Sequence, residues 1–251
     1  MDDKLEIDIL CDNLVFEDKC IAEWGLSLFI SFNNKKILFD TGYSFVFKHN
    51  AEIKNIDLNK TDYLVLSHFH EDHSGGLRFL KFKEKINIVL HPQLLEKMPK
   101  NEAVNIINNF NIISSEEPME FENDIIYLGE IPRNNNFEKG LHKNDPIIDD
   151  SAIAINTKKG VVVISGCAHS GICNICEYAK KVTNQKIYSV IGGFHLLKDD
   201  EAADGTIEYF KKEKIEHLFP LHCIHASVFE KFSQTFDCKK MAVAEKITID
   251  I

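Results

Sequence analysis

Arginine is almost missing from this chain. Only Arg78 and Arg133 carry a guanidinium among 251 residues, and 39 acids outnumber 29 bases for a formal net charge of −10. A broad basic face, the usual footprint of nucleic-acid binding, is therefore not expected. Long apolar runs are lacking too. No stretch approaches the roughly 20 apolar residues of a membrane-spanning helix. The opening "MDDKLEIDIL" has no basic segment followed by an apolar one, so no secretory signal is read and a cytoplasmic location is expected. The seven cysteines are odd in number and scattered from Cys11 to Cys238, which suits thiols better than a disulfide framework. No Ser/Gly/Pro-rich linker divides the chain. With 44% hydrophobic residues it has enough apolar side chain for one large core, and a single domain over residues 1–251 is expected.

What is present is a recurring succession of strands and helices. "KLEIDILC", "LSLFISF" and "KKILFDTG" have β-type apolar character, the last two joined by the turn "NNKK" at 33–36. A helix is expected from about Ser44 to Ile53, then strand "DYLVLSH", a helix from about Gly76 and strand "INIVLH". Helical or irregular chain follows to about Phe110. "DIIYLGEIP" reads as a strand running into a polar, turn-rich loop at 132–150. A loop of that length is more often functional than a plain connector, and it is expected to border the site. The second half resumes with the hairpin "AIAINT"–"GVVVISG", a helix over about 171–182, strand "KIYSVIGG" and a helix over about 202–212. Strand "HLFPLH", helix "ASVFEKFSQ" and a last strand "KMAVAEKITID" complete it. This order predicts an α/β fold of two mixed sheets with helices outside, a four-layer αββα sandwich.

The chemistry concentrates in "SHFHEDHSGGL" at 67–77, where an apolar strand ends. Residues two apart on a strand share a face, so His68 and His70 are expected to point together. Asp72 and His73 follow where the chain turns. Imidazole and carboxylate suit zinc, and also iron or manganese. Gly75 and Gly76 allow a tight backbone turn beside the ligands. On the same alternation, Glu71 should face away from Asp72.

"HFHEDH" resembles the H-x-H-x-D-H signature of the metallo-β-lactamase superfamily, and "ILFDTG" at 37–42 resembles its upstream Asp motif. "GEIPRNNNFE", "DDSAIAI", "VVVISGCAHSGICNI" and "VIGGFHL" are similar to one branch, the 7,8-dihydropterin-6-methyl-4-(β-D-ribofuranosyl)aminobenzene-5′-phosphate synthase-like proteins. The likeness runs from about Leu26 to about His222.

This resemblance implies a metal-dependent hydrolase with one or two divalent ions, zinc foremost, acting on a small, anionic substrate. It implies metal ligands at His68, His70 and His169 for one ion and at Asp72, His73 and His222 for a second. Asp72 would also handle the water or a proton, and Asp40 would brace the metal loop. His195 is open between ligand, substrate or catalytic contact and structural histidine. Arg133 is open between anion contact and loop-surface residue. Cys167 stands near the place where many members carry a metal-bridging Asp, and reads either as a soft ligand or as a small buried residue.

"CNIC", Cys173 and Cys176, reads as core packing. His91 reads as structural, and His49, His217 and His225 receive no metal role; His142 is a substrate-contact candidate. A pterin-linked transferase and a non-catalytic metal-binding module are the alternatives. Diiron redox members carry an acid where His70 stands and add a flavin domain, so that chemistry is not expected. The oligomeric state is not legible.

Overall fold

The computed structural model describes residues 4–138 and 145–251. The chain divides into two compact units, Met1–Ser115 with Ala242–Ile251, and Glu116–Met241.

The first unit holds a seven-stranded mixed sheet of order β13-β1-β2-β3-β4-β5-β6. Its strands are β1 (Lys4–Cys11), β2 (Ser27–Phe32), β3 (Lys35–Phe39), β4 (Tyr63–Val65), β5 (Ile86–Leu90), β6 (Phe110–Ser114) and β13 (Lys246–Asp250). Strands β13, β1, β2 and β3 pair antiparallel, whereas β3 to β6 pair parallel. The parallel half needs crossovers. They carry α1 (Val46–Ile53), the one-turn α2 (Glu71–Ser74), α3 (Pro92–Lys97) and α4 (Lys100–Asn109). Phe47 and Ala51 of α1 pack on Leu10, Leu38, Leu64 and Ile88 in the core of this unit.

The second unit repeats the plan with a six-stranded sheet of order β12-β11-β10-β9-β8-β7. Its strands are β7 (Met119–Glu122), β8 (Ile125–Tyr127), β9 (Ala152–Thr157), β10 (Gly160–Ser165), β11 (Ile187–Gly193) and β12 (His217–Leu221). Strands β10, β11 and β12 are parallel. Every residue of β10 and β11 is buried, the continuous apolar run expected of a parallel strand covered on both faces. Helices α5 (Ile172–Thr183), α6 (Glu201–Glu213) and α7 (Ala226–Thr235) belong to this unit, and their Ile175, Phe210 and Phe232 share a core with Val163 and Val190. Among the described residues no helix is long and apolar enough to cross a membrane.

Parallel pairing has a direct consequence for the candidate residues. The carboxyl ends of β3, β4 and β5 fall on one edge of their sheet, and those of β10, β11 and β12 fall on one edge of theirs. In α/β sheets that edge is where ligands bind.

Local expectations need four corrections. The helix expected from about Gly76 is a 3-10 turn, Gly75–Phe79, after the short α2. A Cβ on Gly76 would lie 2.1 Å from the Thr41 carbonyl oxygen, so this backbone is pressed onto its neighbour and has no room for a regular helix. Strands β6 and β7 were not anticipated: β6 is largely exposed and β7 is acidic. The strand expected over "DIIYLGEIP" stops at Tyr127, just before Gly129 turns at φ 68°. The last strand starts only at Lys246, because Ala244 has φ 72° and its N–H bonds to the Ile9 carbonyl.

Candidate metal centre

In the first unit the "HFHEDH" loop leaves β4 and enters α2. The expected strand alternation does not bring His68 and His70 to one face, because β4 ends at Val65 and both lie beyond it. The loop nevertheless brings their rings together at 4.7 Å between centroids, with His68 Nε2 3.1 Å from His70 Nδ1. His73 packs on His68 at 4.3 Å between centroids, and its Nε2 lies 3.7 Å from Asp72 Oδ2. Glu71 is exposed and Asp72 half-buried, although both sit in the first turn of α2 rather than on extended chain. Successive helical residues are turned by about 100°, which separates them less fully than a strand would.

Asp40 organises this loop from the end of β3. Its Oδ2 accepts from Ser67 Oγ and from His73 Nδ1, each at 2.7 Å, and its Oδ1 accepts from the Ser67 N–H at 2.8 Å. Ser67 Oγ in turn lies 2.9 Å from His68 Nδ1. One buried carboxylate thus sets the orientation of two histidines, and Asp40 adopts φ 55° to do so. Such sparsely populated backbone costs of order 1 kcal/mol and clusters at functional sites. Glu23, which sequence reasoning passed over, holds the next loop by accepting from the Tyr43 and Ser44 N–H groups and from Ser44 Oγ. No local sequence signal marks it.

In the second unit the parallel strand ends deliver Cys167, His195 and His222. One ligand atom from each of Cys167, His169 and His195 lies within 4.8 Å of the others. The rings of His169 and His195 are 4.3 Å apart. His195 Nδ1 is buried with no hydrogen-bond partner among the described residues. A buried thiol, a buried imidazole and a half-buried one with an orphaned ring nitrogen are donors of the kind that suit zinc or iron. Ala168, His195 and His222 take φ of 62°, 49° and 47°, the same left-handed backbone as Asp40, and each lies shortly past the carboxyl end of its strand.

Asp150, in the "DDSAIAI" stretch, plays a part here like that of Asp40. It accepts from the Ser170 N–H at 2.8 Å and Ser170 Oγ at 2.6 Å, fixing the loop that carries His169. Burial raises its carboxyl pKa, against the lowering effect of those bonds. Cys223 touches Cys167, sulfur to sulfur, at 2.8 Å. Burial opposes its ionisation, but hydrogen bonding from Cys167, the charge of His222 and hydrogen bonds from His195 and His222 together bring the thiol well below its ordinary range.

The remaining candidates have local partners. His91 accepts from the Gln93 N–H as the cap of α3, and His225 caps α7 in the same way. His49 meets the Lys19 carbonyl and His217 the Tyr188 hydroxyl. Cys173 and Cys176 are buried in the core of the second unit, as the packing reading expects. Arg133 donates through Nη2 to the carbonyls of Pro146 and Ile147, so it ties loop segments together. Glu138 accepts from the Cys173 and Asn174 N–H groups at the start of α5, and Asn174 accepts from those of Asn134 and Asn135. The stretch 133–138 is thereby fastened to the helix that follows His169. His142 lies outside the described residues.

A mixed α/β fold with imidazole, carboxylate and thiol donors clustered beyond strand ends, one cluster in an H-x-H-x-D-H motif, defines a candidate metal centre. The chain belongs to the metallo-beta-lactamase superfamily, whose family model matches residues 25–180. It is 34% identical to an uncharacterised protein of Methanocaldococcus jannaschii, over 91% of this chain and 94% of that one. It is 31% identical to the 7,8-dihydropterin-6-methyl-4-(beta-D-ribofuranosyl)-aminobenzene-5'-phosphate synthase of the same organism, over 86% of this chain and 85% of the relative. The crystal structure of Tm1679, described as a metal-dependent hydrolase of the beta-lactamase superfamily, aligns with a TM-score of 0.82 at 28% identity, covering 98% of this chain and 99% of that one. YhfI from Bacillus subtilis aligns at 0.66 with 12% identity, again over 98% and 99%, a likeness of fold. The expected fold class, α/β with two mixed sheets and helices, is that of these neighbours.

Proposed function

We propose that the chain is a metal-dependent hydrolase of a small, anionic substrate. The observation that carries this reading is the His68–His70–His73 cluster, with His68 and His73 buried and His70 half-buried, with Asp72 at its edge and Asp40 bracing it. His68, His70 and His169 are the proposed ligands of one ion, and Asp72, His73 and His222 those of a second. Zinc is favoured, with iron and manganese compatible with the same donors. When bound, such an ion supplies a nucleophile from water near neutral pH and a Lewis acid for the bond to be split.

The chain's own residues do the rest. Asp72 accepts a proton and orients the attacking water. His195, left half-exposed, contacts the substrate or carries a proton to the leaving group. Arg133 offers N–H donors to an anionic group while bonding to the Pro146 and Ile147 carbonyls. Asp40 keeps His73 in one tautomer by accepting from Nδ1, which turns Nε2 outward for coordination.

The test is metal analysis of protein purified without chelator. One or two equivalents of a transition metal are expected. His68→Ala with His70→Ala should abolish most of that loading while circular dichroism stays native. Full loading in the folded double variant sinks the assignment.

A second reading follows from the synthase relative. Similarity at 31% identity supports a transferase that uses the ion as Lewis acid on a pterin-type substrate. Titration with reduced pterins separates the two: no binding removes the transferase, and binding without hydrolysis of phosphoester, thioester or lactone panels removes the hydrolase. Metal loading with neither outcome leaves a metal-binding module.

A further inference from the structure

Cys167 and Cys223 follow strands that are not neighbours. Cys167 lies two residues past β10 and Cys223 two past β12, with β11 between them in the sheet. Strands two apart run ~10 Å from one another. The two sulfurs are nevertheless 2.8 Å apart.

The end of β11 explains the approach. A Cβ on Gly193 would lie 2.2 Å from the Gly166 carbonyl oxygen and 3.1 Å from Cys167 Cα, and one on Gly192 would lie 2.0 Å from the Ser165 carbonyl oxygen. With hydrogen in those places, the chain leaving β10 folds over the end of β11, held there by the Gly193 N–H on Gly166. From the other side, Leu196 donates to the Cys223 carbonyl at 3.1 Å. Backbone bonds on both flanks therefore aim the two thiols at each other. Neither is in a disulfide, and both are buried.

We propose that Cys167 and Cys223 are a reversible oxidation site, closing to a disulfide under a peroxide. Less than ~1 Å of approach separates the pair from the ~2.05 Å bond of a disulfide. One sulfur attacks the peroxide O–O bond and becomes a sulfenic acid, releasing water. The other sulfur then displaces that hydroxyl as a second water, and the S–S bond forms. The two thiols lose two protons and two electrons, and hydrogen peroxide takes them up to become two waters. A reducing dithiol reverses the reaction by exchange. In reducing compartments disulfides are mostly of this transient kind.

The consequence rests on the proposed ligands. Cys167 is two residues from His169, and Cys223 is adjacent to His222. Drawing the sulfurs together moves both ligand loops, so oxidation lowers metal retention.

The experiment treats the purified, metal-bearing protein with hydrogen peroxide, blocks remaining thiols with iodoacetamide and digests without reductant. Mass spectrometry should find the Cys167 and Cys223 peptides joined, two hydrogens lighter than their sum, and separated again by dithiothreitol. Metal content should fall with the cross-link, and Cys223→Ser should abolish the cross-link and keep its metal under peroxide. If both thiols stay alkylatable, or pair with other cysteines, in metal-bearing and chelator-treated protein alike, the proposal is overturned. A cross-link with unchanged metal content overturns the coupling to the ligand loops. The peptide readout needs neither metal nor turnover, so an error in the proposed hydrolase leaves it intact.

Discussion

His73 Nδ1 and Asp40 Oδ2 are 2.7 Å apart, with neither side chain exposed. The same carboxylate also accepts both donors of Ser67. Asp40→Ala leaves the imidazole N–H and the Ser67 donors without their acceptor, at about 1–3 kcal/mol for each unsatisfied buried group. A clear drop in melting temperature is expected. Asp40→Asn keeps the shape but turns an amide toward His73, so the ring loses its fixed tautomer. Metal affinity, read by chelator competition, should fall ~10–100-fold, the usual effect of losing a partner that orients a ligand. Unchanged affinity in Asp40→Asn contradicts the bracing role.

Asp72 and Glu71 are adjacent yet differ in exposure, and the difference is testable on any substrate that turns over. Asp72→Asn removes a charge and a proton acceptor beside His73, and turnover should drop by at least about a hundredfold. Glu71 faces solvent, so Glu71→Gln should change turnover less than about threefold. Its contact with the Tyr43 hydroxyl, which raises the Tyr43 pKa, is an exposed one. Equal losses in the two variants contradict this division of labour.

The glycines after the histidines matter for contact as well as for turning. A Cβ on Gly76 would meet the Thr41 carbonyl oxygen at 2.1 Å and Phe47 at 2.8 Å. Neither Thr41 nor Phe47 can yield easily, since both are buried. Gly76→Ala should therefore cost about 1–3 kcal/mol, in the range of core overpacking. Because the Gly76 N–H also bonds to the Gly42 carbonyl, the shift should reach the loop beside Asp40 and weaken metal binding. Denaturant unfolding and chelator competition, measured on one preparation, check both effects.

How far the sequence reached depends on how local each feature is. Most strands and the histidine-rich "HFHEDH" loop were legible because apolar runs and residue spacing are local patterns. The left-handed backbone at Asp40, Ala168, His195 and His222 was not, since none is glycine and the conformation is imposed by the contacts around it. Strand β6 was lost among alternating Asn and Ile at a largely exposed edge. The meeting of Cys167 with Cys223 spans 56 positions and depends on two glycines in a third segment. Arg133 was weighed as an anion contact, but its bonds to loop carbonyls depend on where residues 146–147 come to lie.

Glu138 shows the same limit and gives a pH prediction. It reaches the start of α5 from 35 residues away and accepts from the Cys173 N–H at 2.8 Å. Burial raises its carboxyl pKa above the ordinary 4.5, while the bonds from Cys173, Asn135 and Asn174 pull the other way. A raised folded-state pKa means that the folded protein keeps a proton the unfolded chain has already lost. Stability from this group is therefore greatest below pH 4.5. It declines as pH rises toward the folded value and stays level above it, with a slope of at most about 1.4 kcal/mol per pH unit. Glu138→Gln cannot ionise and has one acceptor oxygen where two are used, so it should be less stable than the parent in acid. The gap should narrow as pH rises through that window, because only the parent then bears the cost of a buried charge. Urea unfolding of both proteins across this range measures the gap directly. A gap that widens with pH contradicts a raised Glu138 pKa, and a constant one shows that Glu138 does not titrate differently on folding.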